Sequence, residues 1–166
     1  MGFELKRLPR ASLDAALAKA EHYRDLNQPE EAESICRDVL DLEPAHPRAW
    51  KLLGLAITDR FPSGPVGLLE QAVQAFEKLP DEYERTYHLG VAWERAAKSH
   101  VEKNESHSAV AAFEHALALF EAAERLRPDL PDPVLRWNRC VRLLNSHPSL
   151  RAAMVAPRED EVHLGD

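Results

Sequence analysis

Histidine is the residue type with the most chemical reach in this 166-residue chain, and the spacing of its eight copies limits what they can do. Glu84 and His88 stand at i, i+4, on one face of a helix, while His107 and His115 stand at i, i+8. A helical metal centre needs tighter sets. The H-E-x-x-H motif of zinc hydrolases does not occur, nor does the pair of Glu-x-x-His motifs that builds di-iron bundles. The histidines therefore read as surface or turn residues. Metal-assisted hydrolysis by Glu84, His88 and their neighbours stands only as a rival reading. Nucleophilic catalysis finds no better footing, because no Gly-rich elbow or strand surrounds any Ser or Cys. Cys36 and Cys140 are far apart, without metal or redox spacing. The GPVG stretch at 64–67 lacks the lysine and the strand of a phosphate loop. The chain is expected to be no enzyme and to carry no cofactor or metal.

Composition narrows the partner class. A net charge of −7 lacks the basic footprint that nucleic acid or a membrane surface requires, so neither is an expected partner. The 45% hydrophobic fraction is that of a globular chain. No apolar run is long enough to span a bilayer. MGFELKRLPR has no apolar h-region, and Lys6 stands where a myristoylation signal has Ser or Thr. The expected location is cytoplasmic.

Prolines and polar turns divide the chain into helices. Residues 1–11 hold Phe3, Leu5 and Leu8 and then Pro9, a loose lead-in. Ser12 is placed to cap a helix running to about Leu26. After Asn27 and Gln28, Pro29 opens a second helix that ends near Leu42. His46-Pro47 opens a third, which stops at the FPSGP loop, Phe61 to Pro65. A fourth helix is cut at Pro80, and Asp81 with Glu84 starts a fifth in capping-box fashion. A polar turn at Asn104 to Ser106 leads to a sixth. Asp132 is placed to cap, and Pro133 to begin, a seventh helix with Val134, Trp137 and Val141 on its packing face. A short partner spans Ser149 to Val155. Residues 12–156 form the repeat domain, and 157–166, REDEVHLGD after Pro157, an acidic tail expected to be disordered.

The helices follow a repeating register. Trp50, Leu53, Gly54 and Ile57 reproduce a W-x2-L-G-x2-Y opening with Ile for Tyr. Ala32, Cys36, Val39, Leu40 and Pro44 give the preceding A-x3-F…P close, and Ala16, Ala20 and Tyr23 its own opening. Thr86, Leu89, Gly90 and Trp93 restate the opening, and Ala116, Phe120, Ala123 and Pro128 the close. This resembles the tetratricopeptide repeat family, whose period is about 34 residues. The resemblance implies an all-α, tetratricopeptide-like helical-hairpin solenoid of three repeats plus a C-terminal capping helix. Two spacings depart from the family. Gly54 to Ala72 is 18 residues against about 12, the excess lying in the FPSGP loop. Gly90 to Ala116 is 26, about 14 too many, so both helices of the third repeat are expected to be longer by about two turns, as a projecting hairpin.

The resemblance also implies a concave groove lined by the first helix of each pair. By register, the first helix contributes Asp14, Leu17, Glu21, Arg24 and Asp25. The third contributes Arg48, Lys51, Leu55, Thr58 and Asp59, and the fifth Glu84, Tyr87, Val91, Glu94 and Arg95. The seventh contributes Leu135, Arg139, Arg142 and Leu143. The partner-binding set is Lys51, Leu55, Tyr87, Val91, Arg95, Leu135, Arg139 and Arg142. These residues suit a protein segment in which acidic residues flank one or two large apolar ones. Chaperone-binding members hold a terminal carboxylate with Lys and Asn where this chain has Leu17 and Glu21, so that clamp is not expected. The function implied is a protein–protein interaction adaptor or scaffold. One alternative is a small secretion-type or assembly chaperone, although the N-terminal apolar helix of that group is not evident. Another is a subunit that self-associates through the long hairpin.

Overall fold

The structure is a computed structural model and describes residues 2–156; the acidic tail expected over 157–166 lies outside the described residues. Among the described residues eight α-helices follow a 3-10 turn at Arg10–Ser12: α1 (Leu13–Asp25), α2 (Pro29–Leu42), α3 (Pro47–Asp59), α4 (Leu68–Glu77), α5 (Glu82–Glu102), α6 (Ser106–Leu126), α7 (Asp132–Ser146) and α8 (Pro148–Val155). Each helix packs on its successor, while α1, α3 and α5 also lie side by side. The fold is the expected all-α solenoid of helical hairpins. Among the described residues no helix is long and apolar enough to cross a membrane.

Local chemistry sets the ends of the hairpins. Asn27 and Asn104 adopt φ of 57° and 60°, a left-handed conformation that Asn tolerates better than most residues. Around Asn27, the Gln28 N–H donates to the Tyr23 carbonyl and the Asn27 N–H to that of Arg24. Around Asn104, Glu105 donates to His100 and Asn104 to Val101. Both patterns are Schellman closures, so repeats one and three turn in the same way. At the helix starts, Asp81 Oδ1 accepts from Glu84 N at 2.8 Å and His46 Nδ1 from Ala49 N at 3.3 Å. The two other expected caps differ. Ser12 ends the 3-10 turn with no side-chain bond, and Asp132 is the first residue inside α7.

The core depends on close approach between the helices of a pair. A Cβ placed on Gly54 would lie 2.7 Å from Cδ1 of Phe76, and one on Gly90 would lie 2.7 Å from Cε1 of Phe120. Both rings are buried. Ala20 and Cys36, fully buried, hold the corresponding places in the first repeat. Successive repeats are then tied by Trp50, whose indole N–H donates to the Pro44 carbonyl at 2.7 Å.

The third repeat has the expected long helices. Both α5 and α6 have 21 residues, against 13 and 14 in α1 and α2. They do not project as a free hairpin. Ala97, Ala109, Val110, Ala112 and Phe113 in the added turns are buried in one cluster with Cys140 and Leu144 of α7 and Leu150 of α8. On the other flank Phe61 is buried with Ala92 and Ala96, and Ser99 Oγ donates to the Phe61 carbonyl at 3.4 Å. The long loop of the second repeat thus covers the long hairpin of the third. The packing face of α7 is also rotated from the expected one. Pro133, Cys140 and Leu144 are buried, whereas Val134 is 37% exposed.

Phe113→Ala should accordingly cost about 3–5 kcal/mol in urea-induced unfolding, as for other buried aromatics. A change within about 0.5 kcal/mol, normal for surface sites, would return the hairpin to solvent. Gly54→Ala should cost about 1–3 kcal/mol through overpacking against Phe76, measured in the same way.

Candidate partner-binding groove

The odd-numbered helices face one another with charged residues, and these residues pair across the helices. Arg48 of α3 meets Glu21 of α1 at 2.7 Å. Arg24 of α1 grips Asp59 of α3 through two bonds, 2.7 Å from Nε to Oδ2 and 3.3 Å from Nη2 to Oδ1. Arg95 of α5 reaches the same Asp59 and also Thr58 Oγ1 at 2.7 Å. Lys51 lies 3.6 Å from Glu84. Arg136 of α7 donates to Glu94 Oε2 at 2.8 Å and to the Tyr87 hydroxyl at 3.3 Å. The result is a ladder of ion pairs running from α1 to α7.

Glu94 is the most demanding member, being fully buried. An unpaired carboxylate there would be strongly unfavourable, but Arg136 bonds one oxygen and Lys98 Nζ lies 2.8 Å from the other. Sequence reasoning placed Glu94 in the groove and missed Arg136. With Val134 taken as part of the α7 packing face, Arg136 fell outside the expected groove positions. The sequence holds no signal for this pair, because the burial of Glu94 arises only once the helices are packed.

The expected site residues therefore separate into three groups. Lys51 and Arg95 lie on the inner surface but are engaged with Glu84 and Asp59, so they form no free positive patch. Val91 is 1% exposed and, like Leu17, belongs to the core. Leu55 and Tyr87 are half-buried and packed against it, with Tyr87 centroids 5.9 Å from both Tyr83 and Phe120. Leu135, Arg139 and Arg142 are exposed. They stand at i, i+4 and i+7, so they form one stripe on α7, and Arg139 lies three residues from Arg136 on the flank that faces α5. Among the described residues neither Arg139 nor Arg142 has an ion-pair partner.

The histidines depart in part from the surface reading. His115 stacks on Trp93 with centroids 4.3 Å apart, but His88 is buried, edge-on to Tyr87. Its Nδ1 lies 2.7 Å from the Glu84 carbonyl, which can only accept, so Nδ1 carries the proton. Burial lowers its pKa from the ordinary 6.5, against the pull of that hydrogen bond. Burial also pushes the Cys36 and Cys140 thiols up to about 12, which leaves both protonated and non-nucleophilic at neutral pH. Among the described residues no three His, Cys, Asp or Glu side chains meet in a way that could hold a metal ion.

Two outcomes follow from these burials. Arg136→Ala should destabilise the fold by on the order of 3 kcal/mol, because it leaves the fully buried Glu94 carboxylate without one of its two cations. Glu21→Ala, at an exposed pair, should cost no more than about 1 kcal/mol. In His88 the folded pKa is the lower one, so the unfolded chain binds more protons below 6.5. Stability should fall as pH drops from about 6.5 toward the folded pKa, and His88→Gln should flatten that slope in urea titrations at pH 7 and 5.5.

Comparison with known proteins agrees with the fold. The tetratricopeptide repeat family model matches residues 13–56, which span α1, α2 and most of α3. No curated protein matches the chain. Among solved structures, PcrH in complex with the chaperone binding region of PopD is similar to it with a TM-score of 0.51. That match is at 19% identity and covers 91% of this chain and 97% of the other. Residues 13–56 thus match the tetratricopeptide repeat family, and the described chain that contains them is a solenoid of helical hairpins similar to that fold.

Proposed function

We propose that the protein is an interaction adaptor, not an enzyme, which captures a segment of a partner protein at the α7 end of its concave face. The observation that carries this reading is the contrast within the ladder. Charges on α1, α3 and α5 are largely consumed by one another, whereas Arg139 and Arg142, beside exposed Leu135, have no ion-pair partner among the described residues. An Arg pair of this kind suits carboxylates, and Leu135, with half-buried Leu55 and Tyr87 further along, suits large apolar side chains. The fitting partner segment has acidic residues flanking one or two large apolar ones.

A narrower form of the reading makes the protein a small chaperone that shields such a segment. It draws on the similarity to PcrH, which was solved with the chaperone binding region of another protein and matches over nearly its whole length. Self-association through the long hairpin draws less support, since much of the hairpin is buried against α7, α8 and the 61–67 loop.

Capture of partners from the native cell extract by the tagged protein, identified by mass spectrometry, tests the site. Arg139→Glu with Arg142→Glu should remove the partner while the circular dichroism spectrum stays helical. Retention of the same partner at physiological salt would show that the basic end of the face is not the binding surface.

A further inference from the structure

The extra residues of the second repeat build a cavity beside the ion-pair ladder. Phe61 and Pro62 of the inserted loop line it together with Arg95, Lys98 and Ser99 of α5, and its volume is about 230 Å³. That is below the roughly 300–1,000 Å³ of sites for drug-sized ligands, so it has room for a single side chain. We propose that this cavity is a second subsite of the partner-binding face, and that it takes an aromatic side chain of the captured segment. The inference rests on the reading of the concave face as the partner site.

The lining decides the guest. Thr58 Oγ1 donates to the Leu55 carbonyl at 2.7 Å and accepts from Arg95 at the same distance, while Ser99 Oγ donates to the Phe61 carbonyl. A polar guest would give up water and find these groups already engaged. The charges of the lining balance, with Arg95 and Lys98 against Asp59 and Glu102, so a charged guest gains no net attraction. An apolar guest meets Phe61 and Pro62. A ring gains one contact more, because Arg95 is held through Nη1 by Thr58 and Asp59 and its side chain is still 26% exposed. Those bonds lie in the guanidinium plane, which leaves its face for stacking.

Position links the cavity to the α7 stripe. Helices α5 and α7, two apart in an array of hairpins, run the same way and are joined by the Arg136–Glu94 bond. Lys98 is one turn beyond Glu94, and Arg139 about one turn beyond Arg136. Cavity and stripe therefore stand at one level, with α5 between them. At the usual interhelix spacing their separation is about 12–15 Å, which about four residues of extended chain cover. The fitting segment has its aromatic residue at that distance from its carboxylates.

The test titrates nitrogen-15-labelled full-length protein with N-acetyl-phenylalanine amide and with N-acetyl-cyclohexylalanine amide, which match in size and differ in the π face. The phenylalanine derivative should shift the backbone amide signals of Phe61, Lys98, Ser99 and Glu102 together, with a Kd on the order of 10 mM for so small a ligand. The saturated derivative should bind about threefold more weakly. Equal or tighter binding of the saturated derivative, or no shifts at those four positions, would overturn the proposal. So would shifts centred on Leu69, His100 and Lys103, which line a different cavity against the same loop. Added to the capture assay at about 30 mM, the phenylalanine derivative should lower recovery of the partner about fourfold by competition. Undiminished recovery would also overturn the subsite. Failure of the stripe is a separate result, since it is read by the Arg139 and Arg142 dependence of capture, whereas the titration reads the cavity without any partner.

Discussion

Two hydrogen atoms, the side chains of Gly54 and Gly90, set the dimensions of this solenoid. Each lies under a phenylalanine ring from the partner helix, so closely that a methyl group would enter the ring's van der Waals shell. Helices can approach in this way only where one side supplies a gap and the other fills it. The first repeat divides the same space differently, with Ala20 and Cys36 in place of Gly and Phe. Once the pair distance is fixed, the odd-numbered helices lie side by side and arginine and carboxylate side chains can span from one to the next.

That spacing turns the concave face into a self-neutralising surface. Asp59 is shared by arginines from both neighbouring helices, and buried Glu94 is enclosed by Arg136 and Lys98. Such pairs add little stability where exposed, yet they determine which charges remain available to another molecule. On α7 the pairing ends with Arg136, since among the described residues Arg139 and Arg142 have no ion-pair partner. Specificity in a surface of this kind comes from the residues left over, and these are few.

Much of this was legible in the sequence. The register around Trp50 and Gly54, the prolines at helix starts and the Asn turns define the helices because each acts locally, through φ, a missing N–H or a missing Cβ. The excess length of the third repeat was equally plain, since α5 and α6 are each 21 residues long. What remained hidden depends on residues far apart in sequence. The loop at 61–67 and the added turns of α5 read as two separate irregularities, but they cover each other, with Phe61 buried beside Ala96. Lys51 and Arg95 read as free cations because their carboxylate partners lie on the neighbouring helix. The α7 face was misjudged by one residue, since Pro133 and Cys140 carry less apolar weight than Val134 and Trp137 and nevertheless face inward.

The α5–α6 hairpin also bears on how the chain acquires this structure. Its two helices are the longest among the described residues, and a tight Asn104 turn joins them. Loop closure between them is inexpensive, and helices of this length outlast the costly nucleation step better than those of 10 or 13 residues. In a one-dimensional array each unit gains stability from its neighbours. The centre of the chain is therefore the expected folding nucleus, from which structure spreads toward both ends. On this expectation α7, the helix that carries Arg139 and Arg142, joins after the hairpin has formed.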